Sequence, residues 1–109
     1  MKEQAMPNSA VVASALLTNA VGLHARPSVK LTQLAKSFVS NIELALHRDG
    51  PWVDAKSPVK IMRVKASKGS TLYFRARGSD ARDAIASLVA LVNGRFDEDE
   101  HETGERVHG

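Results

Sequence analysis

A histidine, an arginine and a proline stand close together in the segment 22–27, which reads Gly-Leu-His-Ala-Arg-Pro. A neutral imidazole, with an ordinary pKa of about 6.5, is a good nucleophile at neutral pH, so His24 could accept a phosphoryl group without a separate base. Arg26 would add a forked donor that fits phosphate oxygens. Gly22 lets the backbone turn sharply and keeps the approach to the ring open. The segment therefore predicts a site that holds a phosphate on an imidazole.

The elements on either side place this histidine between a strand and a helix. Residues 10–17 are small and branched apolar residues and predict a first strand, and from Pro27 the apolar residues recur at helical spacing, at Leu31, Leu34, Ala35 and Phe38. A helix start presents free N–H groups and the positive end of its dipole to an anion. An isolated His-x-Arg is more often a loop or helix-capping histidine, and this alternative stays open. The combination of His24, Arg26 and Pro27 at such a junction favours the phosphate site.

The rest of the chain predicts two more helices and three more strands. Ile42, Leu44 and Leu46 alternate with more polar neighbours, Asp49-Gly50 signals a turn, and residues 52–55 form a short returning strand. The next predicted element is a helix capped by Ser57, with Val59, Met62 and Val64 facing inward. A strand over 71–77 follows, with Leu72, Phe74 and Ala76 inward. The last element is a helix capped by Asp80, with an apolar stripe from Ala84 to Val92.

The resulting order, β, α, β, β, α, β, α, predicts an α+β fold. We expect an open, four-stranded, largely antiparallel sheet with its helices on one face. The predicted domain spans residues 10–94. Residues 1–9 are expected to be a flexible arm and residues 95–109 a disordered acidic tail, in which Phe96 could dock on the domain.

Composition narrows the function classes. The chain has 109 residues and no cysteine, which excludes a disulfide scaffold, a thiolate zinc site and a cysteine nucleophile and agrees with the cytoplasm. No stretch reaches the roughly 20 apolar residues of a membrane span. Six acidic residues and two arginines follow Gly94, so the net charge there is −4, while the rest of the chain carries +7. Such a basic body favours acidic or phosphorylated partners.

Other kinds of site find less support. The other three histidines are not spaced from His24 as metal ligands usually are, so no metal site is predicted; they are His47, His101 and His108. No serine or carboxylate stands in an obvious partner arrangement for a hydrolase. A nucleic-acid-binding module is the alternative from another class, because the body is basic and the sheet open. Such a sheet should present two or three aromatic residues, and only Tyr73 is clearly placed outward.

The segment 22–27 resembles the phosphohistidine signature of the HPr family, the small phosphocarriers of the phosphoenolpyruvate-dependent sugar phosphotransferase system. The resemblance covers roughly residues 10–94. It implies the open-faced β-sandwich of that family and a cytoplasmic, monomeric carrier that is not itself an enzyme and needs no cofactor. It also implies that His24 is phosphorylated on Nδ1 by enzyme I, with phosphoenolpyruvate as the ultimate donor. His24 would pass the group to a histidine of an EIIA protein, and Arg26 would stabilise the phosphate.

The same resemblance aligns Ser57, after Lys56, with the serine that HPr kinase/phosphorylase modifies in many members. Phosphorylation there blocks transfer from enzyme I and would place a phosphate at a helix N-terminus. Ser57 before Pro58 is equally well explained as a helix cap. Pro58 and Lys60 replace part of the exposed aliphatic and glycine pattern that usually follows this serine. The intact signature also permits a purely regulatory protein that retains the fold and uses Ser57 or His24 as a signal, and this alternative stays open.

Overall fold

The computed structural model describes residues 10–97. It contains the seven predicted elements in the predicted order: β1 (Val11–Leu16), α1 (Ala25–Lys36), β2 (Asn41–Ala45), β3 (Val53–Asp54), α2 (Pro58–Val64), β4 (Thr71–Arg77) and α3 (Ala81–Asn93). A short 3-10 helix, Arg95–Asp97, follows α3. The predicted arm over 1–9 and the tail from residue 98 onward lie outside the described residues.

The four strands form one antiparallel sheet in the order β1-β4-β2-β3. In the central strand β4, Phe74 pairs with Ala13 of β1 and with Leu44 of β2. Leu72, Phe74 and Ala76 are buried, as the alternation of β4 predicts, and Arg77 is exposed. Burying one face of each strand beneath the helices leaves the other face open. The predicted α+β fold with an open sheet is confirmed.

The two long helices bury the faces that their periodicity predicts. In α1, Leu31 and Ala35 are fully buried and Leu34 packs against the core from its margin; Phe38, which the periodicity placed in the same stripe, lies beyond the end of the helix and also packs there. The buried residues of α3 are Ala81, Ala84, Ile85, Leu88 and Val92. These stripes, spaced at three and four residues, hold both helices against the sheet and position the loops that join them.

The predicted inward face of α2 is wrong for Val59 and Met62, whereas Val64 packs against the core as predicted. Val59 and Met62 are 52% and 37% exposed, while Ile61 is fully buried. A helix of seven residues with apolar side chains at 59, 61, 62 and 64 does not specify which stripe faces inward. Tertiary contacts set its rotation, and they turn Ile61 into the core and leave Val59 and Met62 on the surface.

Asp80 occupies the N-cap position of α3, but its side chain makes no cap hydrogen bond. Its carboxylate instead accepts the backbone N–H groups of Val39 and Ser40, both at 3.0 Å, and the hydroxyl of Ser40. The Ser40 hydroxyl, followed by the Val39 N–H, holds the pKa of Asp80 below its ordinary value. Asp80 therefore joins the start of α3 to the turn before β2.

The ordered domain extends beyond the predicted boundary at residue 94. Phe96 lies in the 3-10 helix and is fully buried, although its backbone is left-handed (φ 55°). The Nζ of Lys30 donates to the carbonyl of Phe96 at 2.6 Å. Burial of a phenyl ring stabilises this turn, so Phe96 docks on the domain as the sequence suggested.

Candidate functional site

The segment between β1 and α1, residues 17–24, carries His24, the predicted phosphoryl acceptor, and we call it the histidine loop. Its two ends bind the α2–β4 loop, residues 65–70. Leu17 donates to the carbonyl of Ser70 and accepts from Gly69, both at 2.8 Å, and Leu23 donates to the carbonyl of Ala66 at 3.0 Å. Two loops that are distant in sequence are thereby held together as one unit.

Gly22 lies where the two loops approach each other closely. Its φ is +69°, a left-handed conformation that side chains disfavour. A Cβ at this position would lie 2.6 Å from the carbonyl oxygen of Ala66 and 2.9 Å from the Cα of Ser67. The site therefore needs glycine here for both its backbone conformation and its lack of a side chain.

His24 is the N-cap residue of α1 and is exposed. Its backbone is extended (φ −78°, ψ −170°), its side chain makes no cap hydrogen bond, and its carbonyl accepts from the N–H of Ser28 at 3.0 Å. Leu23, on one side, is 2% exposed. The backbone of His24 is thus held in place by the buried Leu23, and the imidazole is exposed to solvent and does not cap the helix.

The first turn of α1 favours an anion beside this imidazole. The helix begins at Ala25, two residues before the predicted start at Pro27, so the backbone N–H groups of Ala25 and Arg26 belong to its unpaired N-terminal donors. No acidic side chain lies in that turn. The positive end of the helix dipole and these donors together stabilise negative charge near His24.

Arg26, the predicted phosphate ligand, is exposed on the first turn of α1. It lies two residues after His24, which precedes the helix in an extended conformation. A surface depression beside the imidazole is lined by Leu23, His24, Ala25, Met62, Lys65, Ala66 and Ser67, and Arg26 is not in this set. The cation that the structure places at this depression is Lys65, one of the many cations of the basic body.

Ser57 caps α2, as its position before Pro58 predicts. Its Oγ accepts the N–H of Lys60 at 3.3 Å, and the residue is half-buried. Ser57 does not line the depression that contains His24. The two predicted sites are therefore carried by different helices.

The surface around His24 combines apolar and cationic side chains. Three large apolar side chains on α1 and α2 are exposed: Val29 at 42%, Val59 at 52% and Met62 at 37%. The exposed cations of the same helices and of the α2–β4 loop are Arg26, Lys36, Lys60, Arg63, Lys65 and Lys68. Exposed apolar side chains accompanied by cations are typical of a protein-docking surface, and the positive charge suits an acidic partner.

A family model described as "PTS HPr component phosphorylation site" matches residues 12–94. The chain belongs to the HPr family. Its similarity to the phosphocarrier protein HPr of Cupriavidus necator is 45% identity over 84 residues, 77% of this chain and 92% of that protein. It is also 34% identical to the phosphocarrier protein NPr of Escherichia coli over 83 residues, which cover 76% of this chain and 91% of NPr.

Solved structures of HPr proteins share the fold. HPr-C-His from Thermoanaerobacter tengcongensis superposes with a TM-score of 0.74 at 35% identity, covering 81% of this chain and 97% of that one. HPr from Bacillus anthracis gives a TM-score of 0.71 at 34% identity, with 78% and 99% covered. This HPr-family chain is thus a phosphocarrier of the phosphotransferase system, a phosphoryl carrier rather than an enzyme.

The other kinds of site considered above gain no support from residues 10–97. Within that range no three His, Asp or Glu side chains are grouped to hold a metal ion. The Trp52 ring on the sheet is covered by the Arg75 guanidinium, 4.3 Å from the ring centre, and Arg75 donates to Glu43 at 2.6 Å. An aromatic ring covered in this way does not offer the free stacking platform that a nucleic-acid-binding sheet needs. None of the helices in this part of the chain is long and apolar enough to cross a bilayer.

Proposed function

We propose that His24 of this phosphocarrier accepts a phosphoryl group from phosphorylated enzyme I, with phosphoenolpyruvate as the ultimate donor, and passes it to an EIIA protein. The observation that carries the proposal is the exposed imidazole at the N-cap of α1, which makes no hydrogen bond to the helix. A transient carrier needs such a nucleophile, because the group must be reached by one protein and then by another.

The transfer needs little from the carrier beyond position and charge. The lone pair of His24 Nδ1 forms the new P–N bond while the bond from phosphorus to the donor atom of enzyme I breaks, and that atom leaves with the bonding pair. The second transfer reverses these roles at His24. The unpaired N–H groups of Ala25 and Arg26 stabilise the phosphoryl oxygens in the carrier state, and the Arg26 guanidinium adds a charge-assisted contact.

The docking surface for both partners is the one defined above around Val29, Val59 and Met62. Each transfer requires its partner to cover His24, so enzyme I and EIIA use overlapping parts of this surface in turn. Its cations would steer an acidic partner face and speed encounter at low salt. The carrier would act as a monomer in the cytoplasm, where both partners can reach it.

The proposal is tested by incubating the protein with enzyme I and labelled phosphoenolpyruvate. We expect an acid-labile phosphate on the wild type, absent from His24→Ala and retained in His47→Ala, which removes another exposed histidine. Adding EIIA should move the label to that protein. No label on the wild type with a competent enzyme I would refute the phosphocarrier assignment for His24.

Ser57 supports a second, regulatory candidate. The residue is half-buried and its Oγ accepts the Lys60 N–H, so phosphorylation by HPr kinase/phosphorylase would replace a neutral cap by a charged one at the start of α2. We expect an acid-stable phosphate from that kinase and ATP, and we expect Ser57→Ala to lack it. A label of equal intensity on Ser57→Ala would exclude this residue as the acceptor.

A further inference from the structure

We propose that Lys65 is a second phosphate-contacting cation of the His24 site, with its ammonium group meeting the phosphoryl group carried on the imidazole. This inference rests on the proposed function of His24. It adds to the site a residue that lies 41 positions further along the chain and on a different element.

The first argument is the composition of the depression beside the imidazole. Seven residues line it, and within this set His24 and Lys65 are the two with ionisable side chains. The other five are apolar except for the hydroxyl of Ser67. Among the residues that line the depression, Lys65 is thus the one cationic side chain that can contact a dianionic phosphoryl group there. Its three N–H donors lie at the end of a flexible side chain.

The second argument is the backbone of Lys65. This residue ends α2 in the left-handed conformation, with φ 56° and ψ 41°, and its N–H donates to Met62 at 3.1 Å. Glycine and asparagine usually occupy that position in a helix C-cap, because a Cβ is disfavoured there. Stability alone would therefore favour glycine. A lysine in a disfavoured backbone conformation beside the imidazole is accounted for by what its side chain contacts.

The third argument is that the histidine loop holds the next residue in place. Ala66 is 3% exposed, its carbonyl accepts from Leu23, and Gly22 packs against it. Lys65 is consequently positioned relative to His24 before any phosphoryl group arrives, so binding needs only a rotation of its side chain. This preorganisation is what an exposed lysine would otherwise lack.

The test compares three variants at about 0.15 M salt, where distant charges are screened. Lys65→Gly removes the ammonium and relieves the backbone, Lys65→Arg keeps the charge, and Lys68→Ala removes a cation of the same loop that does not line the depression. Each protein is equilibrated with enzyme I at fixed ratios of phosphoenolpyruvate to pyruvate, and its phosphorylated fraction is measured. The ³¹P resonance of each phosphoprotein and its Tm are recorded as well.

We expect Lys65→Gly to lower the equilibrium constant for phosphorylation about two- to fivefold, the size of an exposed ion-pair contact, and to shift the ³¹P resonance. Its Tm should be higher than that of the wild type, so lost function would not reflect lost stability. Lys65→Arg should restore the phosphorylation equilibrium, and Lys68→Ala should change it less than Lys65→Gly does.

The outcomes separate this inference from the function on which it rests. An unlabelled wild type with competent enzyme I would overturn the phosphocarrier assignment of His24, and the role of Lys65 with it. A labelled wild type with an unchanged equilibrium constant and ³¹P shift in Lys65→Gly would overturn the role of Lys65 alone. Equal losses in Lys65→Gly and Lys68→Ala would also overturn it, because they would indicate a general charge effect.

Discussion

Leu23 donates its backbone N–H to the carbonyl of Ala66 at 3.0 Å, and this bond joins the loop that carries His24 to the loop that carries Lys65. The bond depends on a close approach at the preceding residue, where Gly22 leaves no room for a Cβ. The geometry around His24, the proposed phosphoryl acceptor, is therefore set by two loops that are separated by an entire helix, two strands and a second helix.

Gly22→Ala should disrupt this junction. A side chain here meets both the disfavoured backbone conformation and the contacts at 2.6 Å and 2.9 Å, so we expect a loss of about 2 kcal/mol or more in the free energy of unfolding. Phosphorylation by enzyme I should slow as well. The matched control is Gly69→Ala, where φ is +95° but no atom lies within 4 Å, and where about 1 kcal/mol is expected. Denaturant unfolding of both variants measures the difference, and equal losses would contradict a steric role for the junction.

Arg26→Ala should impair function and leave stability nearly unchanged. The side chain is exposed, so we expect the free energy of unfolding to stay within about 0.5 kcal/mol of the wild type. Loss of a charge-assisted phosphate contact should reduce the rate of phosphorylation by enzyme I about tenfold. Lys36→Ala, which removes an exposed cation from the last turn of α1, is the control and should behave as the wild type. Matching rates in the two variants would remove Arg26 from the site.

Asp80 should make the stability of the fold depend on pH in the acid range. Because its folded-state pKa is lowered, its hydrogen bonds contribute fully above the ordinary carboxyl pKa of about 3.9 and are lost as pH falls through the folded-state value. The stability difference between the wild type and Asp80→Asn should therefore be constant near neutrality and shrink in acid. Ser40→Ala removes the hydroxyl, the largest cause of the shift, and should weaken the same dependence. Urea unfolding between pH 7 and pH 2.5 measures it, and a difference that does not change with pH would contradict the assignment.

Phe96→Ala should destabilise the domain by about 3 to 4 kcal/mol, because it empties a fully buried position. Truncation after Asp97 keeps Phe96 and should leave the midpoint of thermal unfolding close to that of the full chain. A Phe96→Ala variant as stable as the wild type would show that the core closes without this turn.

The rotation of α2 predicts opposite outcomes for two residues that lie two positions apart. Ile61→Ala should cost about 2 to 4 kcal/mol, since Ile61 is fully buried, whereas Val59→Ala should change stability by less than about 0.5 kcal/mol. Val59→Ala should instead weaken association with enzyme I, because the residue lies on the proposed docking surface. Reversed stabilities would support the inward face that the sequence alone predicted.

The sequence by itself determined the order of the elements, the buried faces of α1, β4 and α3, and the position of His24 at a strand-to-helix junction. These features are local: they follow from repeats of two or of three and four residues, and from the turn and capping preferences of single residues.

Only the tertiary structure decided the rotation of α2, the reach of Asp80 to Ser40, the burial of Phe96 and the place of Lys65 beside His24. Each of these depends on contacts between segments far apart in the chain, such as the bond from Leu23 to Ala66, to which no local period corresponds. A seven-residue helix carries too few turns for its pattern to select a face, so its packing partners select it. The functional histidine could therefore be predicted from the sequence, whereas the position of Lys65 beside it is apparent only in the tertiary structure, where the two loops meet.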